Sequence, residues 1–324
     1  MDTKSTDHRL TPTTRIFVAG HSGLVGAALC RRLRALGCEN IITRDRAVCD
    51  LTNQSAVEKL FAEEQPEYVF LAAAKVGGIL ANQNAPAEFI YSNLAIQTHV
   101  IQQCYAQRAR RLLFLGSSCV YPRACPQPIR EESLLNGLLE PTNEAYAIAK
   151  IAGAKMCHYY NAQYGTEFLA VMPTNVYGPG DNFHLEHAHV VPATMRKIHE
   201  AKLLSAPHVT IWGSGTPRRE LMYVDDMAEA CVFLMQGAWP GNQHVNIGTG
   251  VDVSIRELAE TLCEIIDYRG ELIFDPTKPD GMPVKRLDVS RLEKLGWRAT
   301  TNLQAGLRQT YAWFVENQDQ YRRC

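Results

Sequence analysis

The stretch LGSSCVYP at residues 115–122 places three side chains with acid–base chemistry directly after an apolar run. Ser117 and Ser118 carry hydroxyls that can hydrogen-bond a carbonyl oxygen, and Cys119 carries a thiol. A free cysteine is often only a small buried hydrophobe, so packing is the first interpretation of Cys119. Its ordinary pKa of about 8.5 is readily lowered by cationic neighbours, and a thiolate is a base that can remove a proton from carbon.

A tyrosine and a lysine in the segment YAIAK, residues 146–150, form a second candidate for proton transfer. Tyr146 and Lys150 are four residues apart in a helical pattern, so both side chains project from one helix face. Tyrosine titrates near ~10, and a neighbouring ammonium favours the phenolate. We therefore expect Lys150 to lower the pKa of Tyr146, although this spacing alone is weak evidence for a site.

Three histidines in FHLEHAHV, residues 183–190, are candidate proton donors, because imidazole titrates near ~6.5. The spacing does not choose among His184, His187 and His189, and the first two are also expected as surface loop residues. A zinc site with Asp181 or Glu186 as a further ligand is the alternative interpretation. The spacing matches no standard zinc site, so no metal is expected.

A glycine loop, GHSGLVG at residues 20–26, follows an apolar run and precedes a helical pattern. Glycines allow a tight turn and a close approach of the backbone to a pyrophosphate at the N-terminus of the helix. The spacing is G-x-x-G-x-x-G rather than G-x-G-x-x-G, and its strand–loop–helix context predicts a dinucleotide site.

The end of the next predicted strand reads Arg44-Asp45-Arg46, and these residues bear on the choice of cofactor. Arginine accommodates a ribose 2′-phosphate, whereas an acidic residue bonds the 2′-hydroxyl. Two arginines favour NADPH. The alternative is that one arginine only pairs with Asp45.

Short β-branched runs alternate with helical patterns in the first half of the chain. Such alternation predicts an α/β fold, a doubly wound parallel Rossmann-type sheet with helices on both faces. The predicted strands span 15–19, 40–43, 68–72, 111–115 and 167–172, and the predicted helices span 24–36, 53–64, 86–109 and 143–164.

The alternation breaks after Gly178-Pro179-Gly180, which predicts a smaller C-terminal α/β substrate domain. We expect residues 12–178, with about 220–250, to form an NADP-binding domain, and residues 179–219 and 251–318 to form the substrate domain. The elements predicted there are helices near 190–202, 225–236, 254–267 and 302–317 and strands at 209–212 and 271–274.

Composition excludes several classes of protein. The 33 Lys+Arg and 34 Asp+Glu residues balance, so no global field favours nucleic acid or an anionic membrane. The polar N-terminus lacks the apolar core of a signal peptide, and no apolar run approaches the ~20 residues of a membrane span. Ten irregularly spaced cysteines then indicate reduced thiols and a cytoplasmic location.

Taken together, the glycine loop, Ser117 and the Tyr146/Lys150 pair resemble the extended short-chain dehydrogenase/reductase family. The resemblance implies that Ser117, Tyr146 and Lys150 form the catalytic triad. It also implies a set of residues around NADPH: Gly20, Gly23, Leu24, Val25, Gly26, Arg44, Arg46, Ala72, Leu115, Gly116, Ser117, Ser118, Lys150, Pro173, Thr174, Asn175, Val176 and His189.

Further strings, among them AAAKVGG at 72–78, WGSGTP at 212–217 and KPDG at 278–281, resemble the branch of that family that acts on GDP-4-keto-6-deoxy sugars. This resemblance implies an NADPH-dependent 3,5-epimerase and 4-reductase that converts GDP-4-keto-6-deoxy-D-mannose to GDP-L-fucose. It makes Cys119 and His189 the epimerisation pair. It also implies contacts to the GDP-sugar from Lys197, Trp212, Arg219, Asp280 and Lys285.

Other functions stay open at this stage. One is a reductase or epimerase of a related GDP-4-keto sugar, dideoxy or heptose; another is a 4,6-dehydratase or 4-epimerase. The dehydratases of the family typically carry an acidic pair where this chain has Ser118-Cys119. A non-catalytic NADPH-binding sensor is the alternative from a different class. Ser22 replaces a basic residue common in the branch, which leaves room for NADH.

Relatives in the family commonly pair through a helix bundle, so the resemblance also implies a homodimer. The helices predicted at 86–109 and 143–164 are the candidates for that contact, and core packing is the alternative for both.

Overall fold

The computed structural model describes residues 8–185, 188–237, 241–278 and 280–318. The strands in chain order are β1 Ile16–Ala19, β2 Ile41–Ile42, β3 Tyr68–Leu71, β4 Arg111–Leu115, β5 Phe168–Pro173, β6 Asn175–Tyr177, β7 His208–Trp212, β8 Arg218–Tyr223, β9 Val245–Ile247, β10 Asp252–Ser254, β11 Glu271–Asp275 and β12 Val284–Lys285. The helices are α1 Leu24–Ala35, α2 Gln54–Glu64, α3 Ile79–Asn84, α4 Pro86–Ala106, α5 Glu144–Tyr164, α6 Val190–Leu203, α7 Val224–Gln236, α8 Ile255–Ile266, α9 Ser290–Lys294 and α10 Leu303–Glu316.

Six parallel strands form the main sheet in the order β2-β1-β3-β4-β5-β9. Successive side chains of a strand point to opposite faces, so each strand feeds two apolar layers. Ile16 and Val18 belong to one buried cluster, whereas Phe17 belongs to the other. Helices cover both faces, as their buried residues in these clusters show. The predicted α/β doubly wound fold is confirmed.

The strand order reverses between β1 and β3, because β2 lies on one side of β1 and β3 on the other. Parallel sheets bind ligands in the crevice beyond the carboxyl ends of the strands at such a point. The glycine loop leaves β1 there, and Ser117 and Cys119 follow β4 at the same edge of the sheet.

Shorter elements build the rest of the chain. Strand β8 pairs with β6, β10 and β12, and β7 pairs with β11. Side chains such as Leu258 from α8 and Phe314 from α10 form a third buried cluster there. Buried Glu220 in β8 joins three segments, since it accepts the backbone N–H groups of Thr249, Gly250 and Leu287 at 2.6–2.7 Å.

The predicted strands and helices have counterparts within about two residues at most ends, with α4 ending three residues early, at Ala106. The sequence patterns missed the short strands β6, β8, β9, β10 and β12. Strands β6, β9, β10 and β12 have only two or three residues, too few for a clear alternation, and the six residues of β8 begin with two arginines instead of an apolar run. Among the described residues, no helix has the length and apolar character needed to cross a membrane.

Candidate functional site

One large cleft along the carboxyl edge of the main sheet is lined by every residue that the sequence assigned to catalysis, cofactor or substrate. These residues come from loops that are far apart in the chain, from Gly20 after β1 to Lys285 in β12. The structure therefore brings the predicted residues into one cavity. The role of each stays a prediction.

The glycine loop has the shape of a phosphate cradle. Gly20 adopts a φ of +85°, and a Cβ there would lie 2.7 Å from the Ala73 backbone. A Cβ on Gly26 would lie 2.0 Å from the carbonyl oxygen of Gly20, so only glycine fits at either position. Helix α1 has no acidic residue in its first turn, which leaves its N-terminal N–H groups to an anion in the cleft. A dinucleotide pyrophosphate fits this loop.

Both arginines beyond β2 line the cleft. Arg44 forms an ion pair with Glu64, and Arg46 lies 3.2 Å from Asp50. Asp45 pairs with His21 at 3.3 Å instead of with either arginine. The alternative in which an arginine pairs with Asp45 is therefore wrong, because each guanidinium pairs with a different carboxylate.

Ser117, Tyr146 and Lys150 lie together. A hydrogen bond joins Ser117 to Tyr146, and the Lys150 Nζ lies 5.9 Å from the centre of the Tyr146 ring. Lys150 donates to the carbonyl oxygen of Leu115 at 2.7 Å. This contact fixes the lysine beneath the end of β4.

The expected effect of Lys150 on Tyr146 is not what this geometry gives. Burial is the largest influence that raises the pKa of Tyr146, and the neighbouring Cys119 is the second. The hydrogen bond from Ser117 acts in the opposite direction and is weaker. Burial also lowers the pKa of Lys150 to about 7. Removal from water opposes the charged form of both groups, so the prediction of a lowered tyrosine pKa is wrong for this arrangement.

Cys119 lies in a short 3₁₀ turn, and donors from distant segments reach its sulfur. The Nδ2 of Asn143 and the Nζ of Lys285 each lie 3.3 Å from the Sγ. Burial acts to raise the pKa of Cys119, but the Lys285 ammonium and hydrogen bonds from Ser117, Lys285 and Asn143 outweigh it and lower the pKa. The packing interpretation of Cys119 does not account for this arrangement.

His189 directly precedes α6 and lines the same cleft. Desolvation of the ring in the cleft, and then the Lys285 ammonium, lower the pKa of His189, so the imidazole is mostly neutral at pH 7. His184 is half-buried in the cleft wall rather than a plain surface residue. Within the described ranges, no three His, Cys, Asp or Glu side chains are grouped to hold a metal; Glu186 and His187 lie outside those ranges.

The residues expected at the GDP-sugar fall into two groups. Lys197 lies 4.8 Å from the centre of the Trp212 ring, and Lys278 approaches the same ring at 5.3 Å. Burial and the charge of Lys278 lower the pKa of Lys197. Both ammonium groups therefore lie at one indole ring of the cleft in cation–π geometry.

Arg219 and Asp280 form the second group and hold a loop. Arg219 donates to the backbone carbonyl oxygens of Arg218, Asp280 and Met282. Asp280 accepts the backbone N–H and the hydroxyl of Ser214, each at 2.8 Å. Both residues line the cleft, and their side chains also fix its wall.

Sequence reasoning gave no role to Asn143 or Lys278 and considered Asp181 only as a zinc ligand. Burial raises the pKa of Asp181 to about 7, and its Oδ2 is buried without a hydrogen-bond partner. No local pattern marks Asn143 or Lys278, because their contacts with Cys119 and Trp212 join distant segments.

Residues 16–248 match the model of the NAD dependent epimerase/dehydratase family. The chain belongs to this family. It is 54% identical to GDP-L-fucose synthase 1 of Arabidopsis thaliana, with 94% of each chain covered. It is 51% identical to GDP-L-fucose synthase of Escherichia coli strain K12 over 95% of this chain and 98% of that protein.

A solved structure is similar along the same length. MlghC, a GDP-mannoheptose C4 reductase from Campylobacter jejuni with NADP bound, is 36% identical and superposes with a TM-score of 0.87. The similarity covers 95% of this chain and all of the other. The similarity to these nucleotide-sugar enzymes extends along nearly the whole chain.

Proposed function

We propose that the protein is a bifunctional NADPH-dependent 3,5-epimerase and 4-reductase that converts GDP-4-keto-6-deoxy-D-mannose to GDP-L-fucose. The observation that carries the proposal is the Cys119 thiol, 3.3 Å from the Lys285 ammonium, in one cleft with Ser117 and Tyr146. A sensor that only binds NADPH has no use for such a group. The choice of substrate rests on the similarity to GDP-L-fucose synthases at 51–54% identity.

The epimerisation needs a base and an acid on the two faces of the sugar. A ketone at C4 acidifies the hydrogens at C3 and C5, and Cys119 is the residue that removes them. Ser117 and Tyr146 donate hydrogen bonds to the developing enolate oxygen. His189 returns a proton to the opposite face, and since it is mostly neutral at pH 7, it must first take up that proton.

The reduction uses the same oxygen. NADPH supplies the hydride to C4 when it is bound. Tyr146 gives its proton to the new alkoxide. Because a raised pKa makes the tyrosine a weaker acid, Ser117 and Lys150 must share the transfer. We assign the 2′-phosphate to Arg44 and Arg46, and the pyrophosphate to the loop from Gly20 to Gly26.

We also propose that residues 12–178, with about 220–250, hold the cofactor, and that residues 179–219 and 251–318 hold the GDP-sugar. Lys197 and Trp212 then contact the nucleotide, and the Arg219–Asp280 loop closes one wall.

The nine cysteines that the structure describes are free thiols, which supports a cytoplasmic location.

A second candidate is the reduction of a related GDP-4-keto sugar. The observation that favours it is the similarity to the C. jejuni heptose C4 reductase at a TM-score of 0.87. The lower identity of that enzyme, 36% against 54% for the Arabidopsis protein, places this function second.

The test uses the purified protein, GDP-4-keto-6-deoxy-D-mannose and NADPH in deuterated water, with the product and its label read by NMR. We expect GDP-L-fucose with deuterium at both C3 and C5. Reduction without label would make the enzyme a plain 4-reductase. No turnover with this substrate, but turnover with a GDP-4-keto-heptose, would establish the second candidate.

We further propose a homodimer that pairs through the outer faces of α4 and α5. Tyr91 on α4 and Tyr159 on α5 are 68% and 61% exposed, which is unusual for large aromatic residues on neighbouring helices. The two faces adjoin, since the Thr98 hydroxyl lies 3.8 Å from the Met156 sulfur. Light scattering should give twice the 36.2 kDa chain mass, and Tyr159→Glu should halve it. A monomeric wild-type protein would contradict the proposal.

A further inference from the structure

The sulfur of Cys119 is contacted by two donors that both follow it in the sequence, 24 and 166 residues away. Asn143 contributes an amide N–H from the turn before α5, and Lys285 contributes an ammonium from β12. A neutral thiol is a weak hydrogen-bond acceptor, whereas a thiolate accepts strongly from charged and neutral donors. Two convergent donors therefore fit an anionic sulfur.

Lys285 has an unusual environment for a lysine. It is only 8% exposed, and a buried ammonium is costly unless a negative group lies near it. Among the ion pairs of the described residues, none joins Lys285 to a carboxylate, and its side-chain hydrogen bond goes to the Cys119 sulfur. The thiolate is thus the counter-ion that this position offers.

We propose that Lys285 and Asn143 are positioning residues that hold Cys119 in the thiolate form. This deepens the proposed function and rests on it for the use of the thiolate as the carbon-acid base. It also revises the expectation that Lys285 binds the GDP-sugar. Lys285 acts through the sulfur, and the nucleotide is left to Lys197 and Trp212.

The charges around the sulfur agree with this assignment. Burial alone would raise the pKa of Cys119, and the Lys285 ammonium is the largest opposing influence. Arg219 is a further cation that interacts with Cys119, and Tyr146 is the titratable group on α5 that faces it. The Lys285 charge also reaches His189 and Cys125. One buried cation therefore favours both the thiolate and the neutral imidazole.

The experiment measures thiolate formation without substrate. The full-length protein is alkylated with iodoacetamide across pH 5–10, and the rate at the Cys119 peptide is followed by mass spectrometry. In Lys285→Met, we expect the midpoint of this pH profile to rise by about one to two units and the rate at pH 7 to fall about tenfold. Lys285→Arg, which keeps the charge, should restore most of the rate.

Two controls separate the effect from general damage. Arg286→Met removes the same charge from the next residue, which does not line the cleft, and should leave the midpoint unchanged. The half-buried Cys263 is an internal reference in every sample. Burial, and then the charges of Glu260 and Glu264, raise the pKa of Cys263 to about 11. Its rate should not respond to Lys285.

A Cys119 midpoint unchanged in Lys285→Met, with weaker binding of GDP in calorimetry, would overturn the proposal and return Lys285 to the nucleotide. Should Lys285→Met fail to fold, Asn143→Asp provides the second test, because a carboxylate at this position should raise the midpoint, and no rise would overturn the proposal. Absent turnover of GDP-4-keto-6-deoxy-D-mannose would refute the proposed function while leaving the alkylation result in place.

Discussion

Burial shifts the pKa of several titratable side chains of the cleft, and the sign of its effect depends on which protonation state carries the charge. It raises the pKa of Tyr146, lowers that of Lys150 to about 7 and raises that of Asp181 to about 7. Cys119 departs from this pattern because nearby donors and a cation outweigh burial. Among these groups, Cys119 is therefore the one whose surroundings favour the charged form over the neutral form.

Cys119→Ser should abolish most of the epimerisation while leaving NADPH binding intact. A serine hydroxyl is a far weaker acid than a thiol, so the loss of the base should cost about 10²–10⁴-fold in exchange at C3 and C5. Deuterium uptake measured by NMR checks the exchange, and fluorescence titration checks the cofactor. Tyr146→Phe is the matched variant, for which we expect loss of reduction. Unimpaired exchange in Cys119→Ser would rule out the role of the thiol.

Asp181→Asn should stabilise the protein at pH 8 and have little effect at pH 4. The pKa of Asp181 rises from 3.8 to about 7 because the carboxyl is buried. Between these values the folded state binds a proton that the unfolded state has released, so the stability contributed by Asp181 falls as the pH increases through this window. Above pH 7 the buried charge costs up to about 4 kcal/mol, which an amide avoids.

Thermal unfolding at the two pH values measures this difference. Asp288→Asn is the control of opposite sign, because a Ser290 hydrogen bond, against a smaller effect of burial, lowers the pKa of Asp288. That variant should lose stability at pH 8. Equal melting shifts of Asp181→Asn at both pH values would contradict the buried charge.

At the scale of elements, the ends of strands carry the chemistry. The loop after β1, the arginines after β2 and the turn after β4 all open at one edge of the sheet. These positions were predictable because each follows a run of apolar residues, short in the case of β2, and carries a local motif. The link from Lys285 to Cys119 was not predictable from spacing, since it joins residues 166 apart through the two-residue strand β12. Short strands with no alternation leave such contacts hidden in the sequence.

Arg44 and Arg46 together should set the preference for NADPH over NADH at the end of β2. The double variant Arg44→Ala/Arg46→Ala should weaken NADPH binding by about tenfold or more, since each guanidinium contributes a charge-assisted contact of about 1–3 kcal/mol. NADH, which has no 2′-phosphate, should bind as before. The ratio of kcat/KM for the two cofactors measures the change. Glu64→Gln, which frees Arg44 from its ion pair, should not reduce the NADPH preference.

At the scale of the whole molecule, Glu220 connects the parts that form the cleft. Its carboxylate, fully buried in β8, accepts N–H groups from the segment after β9 and from Leu287 just beyond β12. Thr174 and Asn175, which follow β5, donate to its backbone carbonyl oxygen. The main sheet and the small sheet, whose strand β12 carries Lys285, thus meet at one residue. Strand β12 has only two residues, so we expect this anchor to help keep the ammonium at the thiol.

Glu220→Ala should therefore unfold more easily and also slow alkylation of Cys119 at pH 7. Three backbone donors lose their acceptor, and at about 1–3 kcal/mol for each buried unsatisfied group the loss is several kcal/mol. Glu220→Gln keeps one acceptor oxygen, so its free energy of unfolding should lie between those of Glu220→Ala and the wild type. Urea unfolding measures the stability. The pH profile of Cys119 alkylation by iodoacetamide shows whether Lys285 still lies at the sulfur. A destabilised Glu220→Gln protein with an unchanged Cys119 midpoint would show that β12 holds Lys285 without this anchor.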